Sequence, residues 1–486
     1  MNADARVPLR LLETGIPGLD AVLGGGLPEF SFNLLAGGPG CGKTTLAHQI
    51  IFHNASSERP AIYFTVLGEP ALKMLRYQQQ FTFFDPRKVG DSVRFVNLQS
   101  HLAESGLKSV LEAIVREVEE TQPGLVVVDS FRALTRANRG SARFNREIEE
   151  FVQALGLHLT AWEATTFLLG EFDRDDEDNP MFTVADGILW LYQVVERNSV
   201  ARKIQVEKMR GMGQLPGLHT FRMSDAGLRV FPRTPKPVDA PVPAAEEGLL
   251  STGVAGLDEM LCGGIPRGYT TLVAGPSGSG KTVLATQFIA EGVQNGEPGI
   301  IAVFEKRPSD YLKTVPHGAH LEAMLASGGL EMFYMRPLDL SIDETLHELQ
   351  AAVKRTGARR LVIDSLLGFE LALVPINRED FRESLYRTIG ALTALGVSVM
   401  LTIELVDSYV DLQFSPNGIS FLTDVIIVQR YVELDGFLRR VMMVVKHRTS
   451  PHSHELRMYE ITAQGIEVGN ALHGYQGLLS GRPHPL

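Results

Sequence analysis

Two stretches of this chain have the residue types and spacing to hold a phosphate. Gly37, Gly38, Pro39, Gly40, Cys41 and Gly42 run into Lys43, Thr44 and Thr45. Gly275, Pro276, Ser277, Gly278, Ser279 and Gly280 run into Lys281, Thr282 and Val283. Each fits Gly, four residues, then Gly-Lys-Ser/Thr. Small residues let successive backbone N–H groups curl around phosphate oxygens, the lysine reaches the outer phosphates, and the threonine hydroxyl ligates Mg²⁺. The helix that follows directs its positive N-terminal end at the same anion. The flanking sequence suits both ends of such a loop. FNLLAG and TTLVAG read as buried strands, and TTLAHQIIFH and TVLATQFIAEG read as helices.

A phosphate loop of this kind needs a carboxylate from a neighbouring strand to complete the metal shell. PGLVVVDS ends its apolar run in Asp129, and RRLVIDS ends its run in Asp364. The expected metal-side residues are therefore Thr44 with Asp129 and Thr282 with Asp364. An apolar run ending in Asp is a weak signal alone, since strands often end in a turn residue. Downstream of a phosphate loop it is strong.

The elements that must position these groups occur twice. Gly37 and Gly275 lie 238 residues apart, and so do Lys208 and Lys446 of two K-x-R motifs; TGIPGLDAVLGGGLP recurs as TGVAGLDEMLCGGIP on the same offset. At 486 residues, length alone suggests about three domains. The repeat reduces this to two: a first domain over 1–232, a Pro- and Ala-rich linker over 233–247, a second domain over 248–470 and a tail over 471–486. In both halves strands alternate with helical stretches. AIYFTVLG, VRFVNL, LVVVDS and LTAWEATTFLLGEF are the first-half strands, and REIEEFVQALGLHL is a core-facing helix. That alternation gives an α/β fold with a mostly parallel sheet flanked by helices.

Composition excludes some classes. The net charge of −11 argues against a broad nucleic-acid footprint. Cys41 and Cys262 are the two cysteines, and a disulfide at Cys41 would obstruct its loop, which points to a reducing compartment. No apolar run reaches the length of a membrane span, and the first residues carry no signal-peptide pattern. The expectation is a cytoplasmic protein. His317 with His320, and His452 with His454, lack the partners of a zinc site. EFDRDDEDNP reads as a solvated acidic loop.

With two phosphate loops, two glycine-rich openings and two K-x-R motifs, residues 11–470 resemble the KaiC family of tandem RecA-like P-loop NTPases. The resemblance implies ATP with Mg²⁺ at the interfaces of a homohexameric ring, and regulatory protein partners. It also implies that each site takes basic residues in trans from the next subunit. Lys208 and Arg210, and Lys446 and Arg448, match those positions, and Arg440, which matches a family arginine beside the second nucleotide, is expected to act in trans with them. An arginine delivered across an interface stabilises charge on the transferring phosphoryl group. On residues alone, K-x-R also reads as a solvated strand edge.

The family carries two adjacent glutamates after the strand that follows the loop helix, one of them a general base. The second half keeps the first as Glu305 and has Lys306 for the second. The first half has Leu67 and Gly68 there, with Glu69 one residue on, and a one-residue slip along a strand turns a side chain to the other face. The first half thus has what ATP binding needs and lacks the expected base. Clock members phosphorylate themselves on adjacent Ser and Thr. Here Ser420 matches the serine, Phe421 replaces the threonine, and Thr423 matches a further threonine. Ser420 is the expected phosphorylation site; the other reading is a serine that hydrogen-bonds locally at a strand start.

Three functions compete on this reading: a ring-forming ATPase with serine autokinase activity and a regulatory role, a nucleotide-gated scaffold that recruits proteins with little catalysis, and a recombinase-like DNA-dependent ATPase. The acidic balance, with no basic stretch interleaved with aromatics, counts against the last.

Overall fold

A computed structural model describes residues 9–66, 71–130, 142–172, 180–196, 199–233, 248–335, 341–372, 378–405, 419, 421–477 and 484–485. The chain separates into two compact units, Met1–Arg233 and Thr234–Leu486. The segment read as the linker lies, from 234 to 247, outside the described residues.

Among the described residues each unit is built on a nine-stranded sheet. In the first unit the order across the sheet is Val93–Asn97, Ala61–Thr65, Leu125–Asp129, Thr165–Gly170, Phe32–Gly37, Gly187–Glu196, Ser199–Met209, His219–Ser224 and Gly227–Phe231. The first six run parallel, and the last three turn back in antiparallel hairpins. The second unit repeats this order from Leu330–Tyr334 through Thr270–Gly275 at the centre to Gly465–Ala471 at the edge. The tandem RecA-like architecture is thus present in both halves.

The central strands are continuous apolar runs because both faces are covered. Leu35 and Val127 pack into one core of the first unit, while Leu34, Ala36, Val126 and Val128 pack into the core on the opposite face. In the second unit Leu272, Ala274, Ile300 and Ala302 face one core, and Val273, Ile301 and Val303 the other. Burying each such side chain contributes about 1.5–3 kcal/mol, so a charge at any of them would be costly. No helix among the described residues is long and apolar enough to cross a membrane.

One sequence expectation needs correction. LTAWEATTFLLGEF is not all strand: the helix Ala142–Ala161 runs into its first residues, and the strand is confined to Thr165–Gly170. The apolar residues before it bury by helical spacing, with Phe151, Val152 and Leu155 in the core. Apolar content alone cannot separate a helix end from a strand start.

Side chains that brace each unit also repeat on the 238-residue offset. Gln49 Oε1 accepts the N–H of Leu228 at 2.8 Å, and Gln287 Oε1 accepts that of Ile466 at 2.8 Å. These bonds tie the loop helix to the outermost strand. Asp186 and Asp424 accept the N–H of Phe32 and Thr270, each at 3.0 Å, and fix the entry of the central strand.

Candidate functional site

The phosphate loops follow the carboxyl ends of the central strands Phe32–Gly37 and Thr270–Gly275, where ligands of open α/β sheets bind. Gly42 and Gly280 stand at the helix starts with φ of 107° and 101°, a conformation that glycine adopts at little cost. A Cβ on Gly38 or Gly40 would meet nothing within 4 Å, so the first loop faces open space. The two lysines lie across their loops. Lys43 Nζ donates to the carbonyls of Gly37 and Gly38 at 2.8 Å, and Lys281 Nζ to those of Gly275 and Pro276 at 2.8 and 2.7 Å. Burial pulls the Lys281 ammonium below its ordinary pKa, while Glu404 and Asp364 act to hold its proton.

Strand pairing brings the expected carboxylates beside the loops. Asp129 and Asp364 end strands one removed from the loop strands, and a cis peptide bond follows each. In the first unit Thr44 Oγ1 donates to Asp129 Oδ2 at 3.0 Å. This is the contact a metal-ligating threonine makes when its lone pairs face the ion. In the second unit, among the described residues, no hydrogen bond joins Thr282 to Asp364. Asp364 instead accepts from Thr402 Oγ1 at 2.5 Å and from Tyr311 OH at 2.9 Å. Thr44 with Asp129 and Thr282 with Asp364 supply only oxygen donors, the set that Mg²⁺ takes. Glycine-lined backbone, lysine, helix N-terminus and oxygen pair all fit a magnesium nucleotide.

Glu305 lies two residues past Val303, which pairs with Asp364. Its Oε1 accepts from Ser365 Oγ at 2.8 Å, and a Cβ on Gly368 would strike its side chain. The carboxylate is therefore held next to the metal-side aspartate, yet remains exposed to solvent. Lys306 is also exposed. Leu67, Gly68 and Glu69 lie outside the described residues, as does Ser420. Beside Ser420, Phe421 is exposed and Thr423 is buried.

The basic residues divide into two groups. Lys208 Nζ donates to the carbonyls of Phe182 and Thr183, and Arg210 binds Asp186 at 3.0 Å and the Thr183 carbonyl at 3.1 Å. Lys446 donates to the Thr423 carbonyl at 2.5 Å, and Arg448 binds Asp424 at 3.2 Å and the Phe421 carbonyl at 3.3 Å. Burial lowers the pKa of both lysines, and the neighbouring arginine adds to it. Asp186 and Asp424 sit where the central strands begin, and the phosphate loops start where these strands end. Each strand has 6 residues, and the rises between them, about 3.3 Å each, separate its two ends by roughly 16 Å, farther than a lysine or arginine reaches. Arg440 stands apart from this group. Its guanidinium lies over the Tyr431 ring at 5.7 Å, and Tyr431 OH donates to the Ser277 carbonyl at 3.4 Å. Arg440 is thus beside its own chain's loop, and its buried Nε has no partner among the described residues.

Sequence reasoning missed several side chains. Arg202 occupies the place of Arg440 in the first unit, also with a buried Nε lacking a partner among the described residues; the 238-residue offset would have found it. Tyr63 OH donates to Asp129 Oδ2 at 2.5 Å, beneath His48, whose ring stacks on Tyr63 at 4.5 Å. Burial pushes the His48 pKa down to about 4, so the ring is neutral at physiological pH and its Nδ1 donates to the Thr44 carbonyl at 2.7 Å. Burial and the adjacent aspartate raise Tyr63 and Tyr311 well above the ordinary phenol range, so both keep their protons. His317, His320, His452 and His454 do not belong to any group of three metal donors among the described residues.

A family profile described as "ATPase: KaiC" matches residues 12–235 and again 250–473. The chain belongs to the KaiC family of ATPases. It is a P-loop ATPase with two copies of the family domain. Among its relatives is the circadian clock oscillator protein KaiC of Acaryochloris marina, 26% identical over 99% of this chain and 93% of the relative. The protein of the same name from Rippkaea orientalis is 25% identical, over 98% and 92%. Circadian clock oscillator protein KaiC 1 of Synechocystis is 24% identical, over 98% and 92%. The KaiC framework therefore runs through both units, at an identity low enough for individual side chains to differ.

Proposed function

We propose that this chain is a KaiC-like regulatory ATPase that assembles into a homohexameric ring in the cytoplasm, with ATP and Mg²⁺ bound between neighbouring subunits. One observation carries the reading. Lys208 with Arg210, and Lys446 with Arg448, are fixed at the end of the sheet opposite their own phosphate loops. They cannot complete the site of their own chain, and a neighbour stacked head to tail would bring them to it. Arg440 stays on the loop side and serves the nucleotide of its own chain.

Mg²⁺, when bound, would neutralise charge between the outer phosphates. Thr282 and Asp364 would hold it in the second unit, and Thr44 and Asp129 in the first. Lys281 would turn from the loop carbonyls toward the phosphate. Glu305 would take a proton from the attacking water. The first unit carries Leu67 and Gly68 where this base is expected, so we assign it mainly to binding nucleotide and holding the ring together. Regulatory proteins would then read the state of the ring.

Assembly is the direct test. The mass of the particle by light scattering is expected to rise to that of a ring on adding ATP with Mg²⁺. Lys43→Ala should weaken assembly more than Lys281→Ala. Equal assembly of the two variants would remove the division of labour between units, and an unchanged mass with nucleotide would remove the ring.

Serine autokinase activity belongs to the same proposal. Ser420 would accept a phosphoryl group from the neighbouring subunit's second site, with Glu305 taking the hydroxyl proton. Because Phe421 replaces the second acceptor, one major phosphate is expected per chain. Intact-mass spectrometry after incubation with ATP and Mg²⁺ reads this directly. No added phosphate, or a phosphate that survives Ser420→Ala, would leave the ATPase and dismiss the autokinase.

A further inference from the structure

Each metal-side aspartate is held by a buried tyrosine, and the duplication does not relate the two tyrosines. Tyr63 lies in the strand Ala61–Thr65, is fully buried, and donates to Asp129 at 2.5 Å. Tyr311 lies in the helix Pro308–Lys313, is 3% exposed, and donates to Asp364 at 2.9 Å. On the 238-residue offset Tyr63 corresponds to Ile301, and Tyr311 to Lys73. The same bond is therefore made twice from different elements. Packing alone does not demand the hydroxyl, since Ile301 fills the place of Tyr63 in the other core with an apolar side chain. A buried tyrosine needs a hydrogen-bond partner, but one partner choice would not lead two unrelated positions to the same carboxylate.

We propose that Tyr63 and Tyr311 are positioning residues for magnesium, acting through Asp129 and Asp364. This inference rests on the magnesium-nucleotide reading of the two sites. A carboxylate at a strand end can rotate. A donor locked by packing fixes its plane before the metal arrives, so that ordering does not weaken binding. In the second unit the bond reaches further. Tyr311 follows Glu305 by six residues, and Glu305 itself accepts from Ser365, the neighbour of Asp364. Asp364 and Ser365 thus hold both ends of the segment that carries the candidate base. In the first unit, Tyr63 comes from the strand next to the sheet edge, and His48 stacks on it.

The test is retention of N-methylanthraniloyl-ATP by the full-length protein in a magnesium titration, with EDTA as the metal-free reference. The wild-type chain should retain nucleotide at both sites. In Tyr311→Phe one half of the signal should need about tenfold more Mg²⁺, as expected for loss of a hydrogen bond to a charged group. In Tyr63→Phe the other half should shift, and in the double variant both. Metal-free affinity should stay at the wild-type value, which also shows that the variants fold. Magnesium midpoints within about twofold of wild type would overturn the inference. So would an equal loss with and without metal, because that marks a packing role. If the wild-type protein retains no nucleotide with Mg²⁺, the nucleotide reading itself fails and the inference falls with it.

Discussion

Glu305→Gln is expected to slow ATP turnover about 10²- to 10⁴-fold, the usual loss when a general base is removed. Bound nucleotide should be retained. Glutamine has nearly the shape of glutamate and can still accept from Ser365 Oγ, which lies 2.8 Å from Glu305 Oε1. The loop, lysine and oxygen pair are untouched, so binding should survive while proton abstraction is lost. The carboxylate is exposed, so the substitution leaves no buried group without a partner and should not unfold the second unit. Turnover per chain under single-turnover conditions, alongside retained nucleotide, separates the two effects. If Glu69→Gln instead abolishes hydrolysis, the chemistry belongs to the first unit, and the reading of Leu67 and Gly68 is wrong. Hydrolysis that survives both substitutions would favour a nucleotide-gated scaffold.

The parts of this site that were legible in the sequence are those whose chemistry fixes local sequence. A phosphate loop needs glycines, lysine and threonine at set intervals, and a doubly covered parallel strand is a short apolar run. FNLLAG and TTLVAG therefore gave their strands to the residue. The duplication added a second signal, and it extends to side chains that no motif marks, such as Gln49 with Gln287 and Asp186 with Asp424. The limits have equally concrete causes. Tyr63 and Tyr311 meet their aspartates across the fold from unrelated positions, so neither spacing nor repeat reveals them. Arg440 lies in the hairpin strand Phe437–His447 and Arg448 directly follows its last residue, and sequence groups them together. The strand's length then carries one to the loop end of the sheet and the other to the opposite end. In LTAWEATTFLLGEF, the chain changes from helix to strand within one apolar stretch, and periodicity over so few residues could not locate the change.

The opposite placement of loop and K-x-R leads to a test that no single variant provides. Arg448→Ala alone should lower turnover about 10³-fold or more if the arginine acts as a finger on the transferring phosphoryl group. Its ion pair with Asp424 is more than half exposed on the arginine side, and such pairs add little stability, so the variant should fold. A loss of activity by itself would not say which chain the arginine serves. Mixing does. Glu305→Gln chains keep the basic face, and Arg448→Ala chains keep the base. In a head-to-tail ring every interface takes one face from each of two chains. Random one-to-one assembly then places an intact Glu305 against an intact Arg448 at about one interface in four. The mixture, combined before ATP and Mg²⁺ are added, should recover about a quarter of the wild-type rate, although each variant alone is nearly inactive. If Arg448 served only its own chain, each chain in the mixture would still lack one essential group, and the rate would stay at the average of the two residual rates. That outcome would leave Arg448 as the residue that closes the loop at Asp424 and Phe421, and would remove the shared site.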